Sequence, residues 1–346
     1  MLDPTGQIKV SLLKKKLLII MPQNILSQVF DDETLERLKS IVDVTFKTDV
    51  RGLSEEEYSK IIKETDAEIL VTGWGSPKIT VKILKENPQL KYMCHSAGTV
   101  RAYVEKEAIE RGLLVTNWGS TIARSVAEAA LMMILCCLRR VTKLTFDMHI
   151  RKKWPRDVIP EGLFYQRVGL FGFGAIAREL RKFLKPFQCK VSAYSPHVPD
   201  EIFRKYDVKR VNSLEELFEK NRIISVHAAN TPENYHIINR DILRRLEDGG
   251  ILVNTARGAI IDEKALYEEL KTGRIYAALD VYEKEPLPAD SPLRGLENCL
   301  LIPHMGGPTP DRRVDMGKMV LRNIEHYVKN EPLENVITPR RYDLIT

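Results

Sequence analysis

Six short apolar runs follow one another between residues 167 and 302, and helical patterns separate most of them. They cover residues 167–171, 190–194, 223–226, 251–254, 275–279 and 300–302. Short apolar strands that alternate with helices are typical of a parallel sheet with crossover connections. Because a complete dinucleotide-binding fold has six such strands, this part of the chain predicts one doubly wound domain of that type.

The same alternation begins nearer the start of the chain. Strands are predicted at 16–21, 42–46, 68–72 and 90–95, and helices at 32–40, 54–63 and 80–85. Ser54 and Glu57 stand at the positions of a capping box, which supports the helix at 54–63. With 346 residues the chain has room for about two domains. The sequence therefore predicts an α/β protein with two doubly wound parallel sheets.

Between these regions the alternation stops. One long helix is predicted at 120–140, and it carries more apolar residues than a single helix face needs. An irregular stretch follows at 148–166, and a last amphipathic helix is predicted at 310–329.

Composition excludes several classes of protein. Hydrophobic residues make up 44% of the chain and charged residues 29%, which is typical of globular proteins. The net charge of +6 is interspersed, so no basic block predicts nucleic-acid binding. The longest apolar run, 129–138, has half of the roughly twenty residues that span a membrane. Five cysteines without a C-x-x-C pair argue against disulfides and zinc, and favour a reducing compartment.

A turn with two glycines follows the strand predicted at 167–171 and leads into a helical pattern. Gly172 permits the tight turn, Gly174 allows a pyrophosphate to approach the backbone, and Ala177 permits close packing of helix on strand. The N-terminus of the helix then offers N–H groups and a positive dipole to phosphates. This G-x-G-x-x-A pattern predicts a dinucleotide site.

The position expected to bind the ribose is unusual. An Asp or Glu is expected about 20 residues after the glycine turn, but this chain has Ser195 at the end of the next strand. A serine can hydrogen-bond a ribose hydroxyl, and it does not repel a 2′-phosphate as a carboxylate does. His197, Arg204 and Lys205 are the nearby candidates for binding such a phosphate. NAD and NADP therefore both stay open.

Polar residues follow three consecutive strands of the predicted dinucleotide domain. Arg257 comes after the fourth strand, Asp280 and Glu285 after the fifth, and His304 after the last. Ligands of open α/β sheets bind at this carboxyl edge. We therefore expect a cation, a carboxylate and an imidazole on one rim of the sheet.

These residue types suit one kind of chemistry. An Arg fork binds a carboxylate through two hydrogen bonds. A His whose pKa is near neutrality gives or takes the proton of an alcohol, and a neighbouring carboxylate stabilises its imidazolium form. Beside a hydride acceptor, the set fits the interconversion of a 2-hydroxy acid and a 2-keto acid.

Together these segments resemble the D-isomer-specific 2-hydroxyacid dehydrogenase family. The similarity lies in the glycine turn at 168–177, in Asn-Thr-Ala-Arg-Gly and the following residues at 254–266, in Ala-Leu-Asp-Val-Tyr-Glu-Lys-Glu-Pro at 278–286, and in Pro-His-Met-Gly-Gly at 303–307. Ser-Val-Ala-Glu at 125–128 and His227 before Thr-Pro-Glu at 231–233 also fit. The first 80 residues match the family only in their alternation of predicted strands and helices.

The resemblance implies roles for the polar residues. Arg257 would anchor the substrate carboxylate, His304 would transfer the proton, and Glu285 would support the imidazolium. Glu283 is the neighbouring candidate for the carboxylate, but the family spacing and the position directly before Pro286 favour Glu285.

The resemblance also implies the binding residues. Cofactor contacts fall at Gly172, Gly174, Ala175, Ile176, Ser195, His227, Ala228, Thr255, Ala256, Asp280 and Gly307, and substrate contacts at Ser96, Ala97, Gly98 and Arg257. Backbone N–H groups of the loop at 95–99 would hold the substrate carboxylate. The cofactor is NAD or NADP, with NAD slightly favoured by the family, and no metal is implied.

Two residues near the predicted substrate loop have open roles. Arg101 is a candidate to meet a second anionic group on the substrate, although a solvated Arg at a helix start is the commoner case. Trp74 is a candidate to close over an apolar substrate tail, and plain packing is the alternative.

The family architecture implies a Rossmann-type cofactor domain at 120–307 inserted into a flavodoxin-like substrate domain at 1–119 and 308–346. It further implies a homodimer that uses the helix at 120–140, a cytoplasmic location, and small anionic 2-hydroxy or 2-keto acids as substrates. A dinucleotide-sensing, corepressor-like interaction protein on the same fold is the alternative, and a binding module with a degenerate cofactor site is a third. The particular 2-hydroxy acid and the direction of the reaction stay open.

Overall fold

The computed structural model describes residues 14–344. The chain forms two compact units, one made of Met1–Thr121 with Pro310–Thr346 and the other of Ile122–Thr309. Each unit contains one parallel sheet, with five strands in the first and seven in the second. The predicted fold class, α/β with two doubly wound parallel sheets, is confirmed.

The first unit has a flavodoxin-like sheet. Its strands are β1 (Lys16–Ile20), β2 (Asp43–Lys47), β3 (Ile69–Thr72), β4 (Tyr92–His95) and β5 (Leu114–Thr116), in the spatial order β2-β1-β3-β4-β5. This order is one of the two common doubly wound arrangements. Every residue of β3 and β4 is buried, as expected for central strands covered on both faces.

Helices cover both faces of this sheet and include the end of the chain. They span Gln23–Val29, Asp32–Ile41, Glu55–Thr65, Val81–Glu86, Lys106–Glu110, Val314–Lys329 and Pro339–Leu344. The predicted capping box is confirmed, because Ser54 Oγ accepts from Glu57 N at 3.2 Å and Glu57 Oε2 accepts from Ser54 N at 2.8 Å. Gly317 lets the helix Val314–Lys329 pack closely against the helix Gln23–Val29, since a Cβ on residue 317 would lie 2.1 Å from Val29 O.

The second unit has the sheet of a dinucleotide-binding fold. Its strands are β6 (Arg167–Phe171), β7 (Lys190–Tyr194), β8 (Lys209–Arg210), β9 (Ile223–Val226), β10 (Ile251–Asn254), β11 (Tyr276–Leu279) and β12 (Cys299–Leu301). The spatial order is β12-β11-β10-β9-β6-β7-β8, so the order reverses between β6 and β9. Ligands of such sheets bind at the carboxyl ends of the strands beside this switch point.

The helices of the second unit shorten the bounds of one prediction. They span Ala123–Leu138, Val141–Thr145, Ala175–Leu184, Asp200–Lys205, Leu214–Lys220, Arg240–Leu243 and Glu263–Lys271. The helix predicted at 120–140 is present but shorter, at Ala123–Leu138, because the chain turns at Arg140, whose φ is +57°. The Arg140 guanidinium lies 3.5 Å from the centre of the Tyr276 ring and 2.6 Å from Glu161, and these contacts hold it in the turn.

The sequence patterns missed several short elements. Strands β5 and β8 have three and two residues, and the helix Pro339–Leu344 has six. Elements of this length show no periodicity, and they form because neighbouring strands or helices are already in place. Among the helices of residues 14–344, none is long and apolar enough to cross a membrane.

Candidate active site

The glycine turn joins β6 to the helix Ala175–Leu184 at the switch point. Gly172 has a φ of +88°, and a Cβ there would lie 2.7 Å from His227 O and Ala228 N. Gly174 is the N-cap of the helix, and no side chain caps it. A Cβ on Gly174 would meet no described atom within 4 Å. The turn therefore has one glycine that the fold requires and one with open space beside it, as a bound phosphate needs.

His227 and Ala228 form the opposite side of the turn. His227 N donates to Phe171 O at 2.7 Å, which continues the pairing of β6 and β9. The imidazole is turned toward β9, where Nε2 lies 2.9 Å from Ser225 Oγ. Burial lowers the pKa of His227 to about 4, so the ring is neutral near pH 7. His227 therefore brings no positive charge to the dinucleotide site.

Ser195 lies directly after β7 and is half-buried. Its carbonyl accepts from Val198 N at 3.3 Å, and Arg210 donates to Pro196 O and Val198 O at 3.2 Å each. The Arg210 guanidinium therefore fixes the turn that carries Ser195. His197 is exposed on the same turn.

Arg257 lies in a turn that Asn254, the last residue of β10, holds in shape. Asn254 Oδ1 accepts from Ala256 N at 3.0 Å, and Asn254 Nδ2 donates to Arg257 O at 2.9 Å. The half-buried guanidinium donates to Ala256 O at 2.6 Å. Burial lowers the pKa of Arg257, and the nearby Glu285 carboxylate opposes that shift. A cation in this setting favours an anionic ligand.

Glu285 and His304 are in direct contact. His304 Nδ1 lies 2.6 Å from Glu285 Oε2, and Glu285 Oε1 accepts from Tyr282 N at 3.0 Å. Roughly half of the imidazole surface is exposed, 48% against 36% for the carboxylate. His304 has a φ of +52°, which is strained for a residue with a side chain. The strain and the carboxylate contact together fix the direction of the imidazole.

Asp280 holds the turn that carries His304. Its carboxylate is 2% exposed and accepts from Met305 N at 2.7 Å and from Gly306 N at 2.9 Å. A Cβ on Gly306 would lie 2.7 Å from Asp280 Oδ2, which explains a glycine at that position. Burial raises the pKa of Asp280, and the two N–H donors oppose this. Asp280 thus stabilises the turn that carries His304. The resemblance implies a cofactor contact for Asp280 as well.

Glu283 has a different set of partners. Glu283 Oε1 accepts from Glu263 N at 2.9 Å and lies 2.9 Å from His236 Nε2, and Glu283 N donates to Glu263 Oε1 at 2.6 Å. These contacts tie the Glu285 loop to the start of the helix Glu263–Lys271. Of the two carboxylates proposed from the sequence, the one in contact with His304 is Glu285.

The loop after β4 carries the predicted substrate residues. Ser96 N donates to Thr72 O at 2.8 Å, so this N–H group is engaged within the sheet. Asn117 Nδ2 donates to Gly98 O at 2.6 Å. Trp118 N donates to Ala97 O at 3.2 Å, which further fixes the loop. The N–H groups of Ala97 and Gly98 are the remaining candidates for an anion in this loop.

Arg101 is engaged elsewhere in the first unit. Its Nε and Nη2 donate to Tyr342 O at 3.2 Å and Asp343 O at 2.5 Å. Carbonyl groups at the end of a helix attract cations, so these bonds stabilise the last helix of the chain.

The residues around the turn fit a nicotinamide dinucleotide. The space beside Gly174 is open. Thr255 Oγ1 is buried and has no hydrogen-bond partner among the described residues, an arrangement that a polar ligand would relieve. A contacting His and Glu together with an Arg at the carboxyl edge of such a sheet suit the chemistry of an NAD(P)-dependent oxidoreductase.

Comparison with known proteins identifies the family. Residues 131–306 match the profile described as "D-isomer specific 2-hydroxyacid dehydrogenase, NAD binding domain". The chain belongs to the D-isomer-specific 2-hydroxyacid dehydrogenase family, as the sequence motifs predicted.

Named relatives agree with this assignment. Hydroxypyruvate reductase of Thermotoga maritima is 35% identical over 277 residues, which cover 79% of this chain and 88% of the relative. Glyoxylate reductase of Korarchaeum cryptofilum is 31% identical over 314 residues, 88% of this chain and 93% of the relative. D-3-phosphoglycerate dehydrogenase of Methanocaldococcus jannaschii is 33% identical over 308 residues, and this chain spans only 57% of its length.

Solved structures share the fold. D-mandelate dehydrogenase of Rhodotorula graminis superposes with a TM-score of 0.81 at 20% identity, and the match covers 93% of this chain and 97% of that one. The TT0316 protein of Thermus thermophilus has a TM-score of 0.73 at 26% identity, with 93% and 100% covered.

Proposed function

We propose that this protein transfers a hydride between a nicotinamide dinucleotide and C2 of a D-2-hydroxy acid or the corresponding 2-keto acid. The observation that carries the proposal is the contact of 2.6 Å between His304 Nδ1 and Glu285 Oε2, with Arg257 close enough for the Glu285 charge to influence its pKa. The relatives described above are all named as reductases or dehydrogenases, and they favour an enzyme over the corepressor-like alternative.

Arg257 is the proposed anchor of the substrate carboxylate. Its guanidinium is half-buried, and an anionic ligand compensates such a charge. A guanidinium fork also fixes the orientation of a carboxylate through two charge-assisted hydrogen bonds.

His304 is the proposed proton donor and acceptor. With Nδ1 bonded to the Glu285 carboxylate, Nε2 is the ring nitrogen that would face the substrate oxygen. In reduction, Nε2–H donates its proton to the carbonyl oxygen at C2, and in oxidation Nε2 accepts the hydroxyl proton. The Glu285 charge stabilises the imidazolium that reduction requires. When bound, the nicotinamide supplies or accepts the hydride.

The dinucleotide contacts are proposed at the residues predicted from the sequence. The first helical N–H groups, at Ala175 and Ile176, would bind the pyrophosphate beside Gly174. Ser195 would bind the ribose, and its lack of charge admits NAD and NADP alike.

The substitution Gly174→Ala should weaken dinucleotide binding while leaving the fold intact. We expect the Kd for the dinucleotide to rise by about tenfold or more, because the new Cβ occupies the space that the pyrophosphate approaches. Unfolding free energy should fall by no more than about 1 kcal/mol, since the Cβ meets no described atom within 4 Å. Fluorescence titration with NADH and NADPH measures the first quantity, and urea unfolding measures the second.

Gly162→Ala is the matched control for this prediction. Gly162 lies in the same unit, and a Cβ there also meets no described atom within 4 Å. Neither the Kd nor the stability should change. Wild-type dinucleotide affinity in G174A would contradict the proposed phosphate site.

We propose the unit Ile122–Thr309 as the dinucleotide domain and the other unit as the substrate domain. The match of residues 131–306 to the NAD-binding profile supports the first assignment. The division of the chain at Thr121 and Thr309, beside the predicted boundaries of 119 and 307, supports the second.

We also propose a homodimer. Exposed apolar side chains support it, with Met132 and Met148 each 45% exposed, Ile150 65% and Ile159 79%. Exposed apolar side chains within the helix Ala123–Leu138 and in the segment that follows it favour contact with a second copy. A cytoplasmic location is proposed from the five free cysteines, and cell fractionation would test it.

Ile150→Asp combined with Ile159→Asp should convert the dimer into a monomer, because charges at these positions cannot be buried in an interface. Sedimentation velocity measures the change. Tyr235, which is 61% exposed, supplies the control Y235D, and this variant should stay dimeric. A monomeric wild type, or a double variant with the wild-type mass, would contradict the proposed interface.

Turnover of a panel of 2-keto acids with NADH and NADPH tests the proposed activity. We expect reduction of at least one 2-keto acid, and no reduction of the matching ketone without a carboxylate. Binding of a dinucleotide without turnover of any panel member would instead favour the corepressor-like alternative.

A further inference from the structure

The tripeptide Trp-Gly-Ser occurs twice in the chain, at 74–76 and at 118–120. The first copy follows β3 and the second follows β5, so the two lie on either side of the loop after β4. Because the carboxyl ends of adjacent parallel strands share one edge of a sheet, Trp74 and Trp118 flank the loop proposed to hold the substrate carboxylate.

The two indoles form one surface with this loop. A Cβ on Gly98 would lie 2.6 Å from the Trp118 ring, so the indole covers the loop so closely that a glycine is required. The rings of Trp74 and Trp118 meet edge to face, with centres 5.6 Å apart and planes at 80°. We call Trp74 and Trp118 the aromatic wall.

Arg313 supports the wall. Its guanidinium carbon lies 5.2 Å from the centre of a Trp74 ring, and Nη1 donates to Gln28 Oε1. Edge-to-face stacking and a cation over a ring both fix the orientation of an indole. Trp74 and Trp118 nevertheless keep part of their surface exposed, which leaves apolar area for a ligand.

Three basic residues of the loop and its surroundings are engaged with protein partners. Arg101 donates to two carbonyls of the last helix. His95 is fully buried, its Nδ1 lies 2.8 Å from Thr72 Oγ1, and burial lowers its pKa to about 3, so it is neutral. Arg313 contacts Trp74 and Gln28 as described. The surface that the loop shares with Trp74 and Trp118 is aromatic carbon, and these three basic residues are already used within the fold.

We propose that the aromatic wall selects 2-keto acids with an apolar or aromatic substituent at C3 over unsubstituted or phosphorylated ones. The proposal rests on the proposed function, because it places the substrate carboxylate at the loop that the wall flanks. Stacking of a flat substituent on the exposed part of the indoles supplies the preference, because an indole face does not replace the hydration that a doubly charged phosphate would lose there.

Kinetics with three substrates test the preference. Wild type should show a higher kcat/KM for phenylpyruvate than for glyoxylate or 3-phosphohydroxypyruvate. In Trp74→Leu the ratio of kcat/KM for phenylpyruvate to that for glyoxylate should fall at least about tenfold, with glyoxylate changed less than about threefold. Trp118→Phe keeps a ring against Gly98 and serves as the second variant, with a smaller fall in the same ratio.

Trp154→Leu is the matched control. Trp154 is 77% exposed and lies in the other unit, so the ratio should stay at the wild-type value. The chain has three tryptophans, and in W154L all indole emission therefore comes from the wall. With saturating dinucleotide, D-phenyllactate should change this emission saturably and by more than D-lactate does.

Several results would overturn the proposal. They are a preference for glyoxylate or 3-phosphohydroxypyruvate, a ratio in W74L equal to that in W154L, or an emission change with D-phenyllactate no larger than with D-lactate. If no 2-keto acid is reduced, the proposed function itself fails, and this outcome is distinct because the panel described above detects it first.

Discussion

Replacing His304 with Gln is expected to lower kcat for 2-keto acid reduction by about a thousandfold. A glutamine cannot supply a proton near neutral pH, so the carbonyl oxygen receives its proton from water. The Kd for the dinucleotide should change less than about threefold, because Asp280 bonds to the N–H groups of Met305 and Gly306 and keeps the turn in place. Single-turnover kinetics and fluorescence titration measure the two effects.

The chain contains a matched control for this experiment. His236 Nε2 lies 2.9 Å from Glu283 Oε1, so a second His–Glu contact exists in the same unit. Its ring stacks on Tyr235 with centres 4.0 Å apart. His236→Gln should keep kcat within about threefold of wild type. If H236Q and H304Q lose activity equally, or H304Q keeps wild-type turnover, the assignment of His304 as the proton donor is wrong.

The central strands could be predicted from the sequence because each one is marked by residues within the strand and directly beside it. Strands β6, β7, β9 and β10 have the predicted bounds, since each is a short apolar run bounded by residues that leave the sheet. Arg140 shows where this reasoning stops. Its helical pattern continues, but contacts with Glu161 and Tyr276, which are distant in sequence, hold it in a left-handed turn.

The candidate site was only partly readable from the sequence. Arg257, Glu285 and His304 each follow a strand of the predicted parallel sheet, so the alternation of strands and helices already predicts that they lie at one edge. The family spacing and the position directly before Pro286 favoured Glu285 over Glu283, but the strand pattern alone does not separate them, because both follow the same strand. Their different partners depend on the fold of the loop against the helix Glu263–Lys271.

Two supporting residues carried a signal that sequence reasoning passed over. Asn254 is a buried polar residue at the end of a core strand, and such a residue usually bonds to the backbone of the following turn. Trp118 completes the repeated tripeptide, but only the order of the strands places it next to Trp74.

Arg257→Gln is expected to lower kcat/KM for 2-keto acids by about a thousandfold. The change removes a charged fork, and two hydrogen bonds to a carboxylate contribute about 4 kcal/mol in a partly buried site. Arg257→Lys should recover part of the loss, because it keeps the charge but not the paired geometry. Steady-state kinetics on each variant give the ratios.

A substrate without the carboxylate isolates the contribution of the pairing between Arg257 and the substrate carboxylate. For the neutral amide of the best 2-keto acid, wild type should be slow, and R257Q should lose less than about threefold in kcat/KM relative to wild type. The difference between the acid and the amide then measures the pairing of Arg257 with the carboxylate, as in a double-mutant cycle. Arg101→Gln supplies the control, because Arg101 bonds to Tyr342 O and Asp343 O. If R101Q shows the carboxylate-dependent loss and R257Q does not, the anchor lies in the loop after β4, and Arg257 only shapes its own turn.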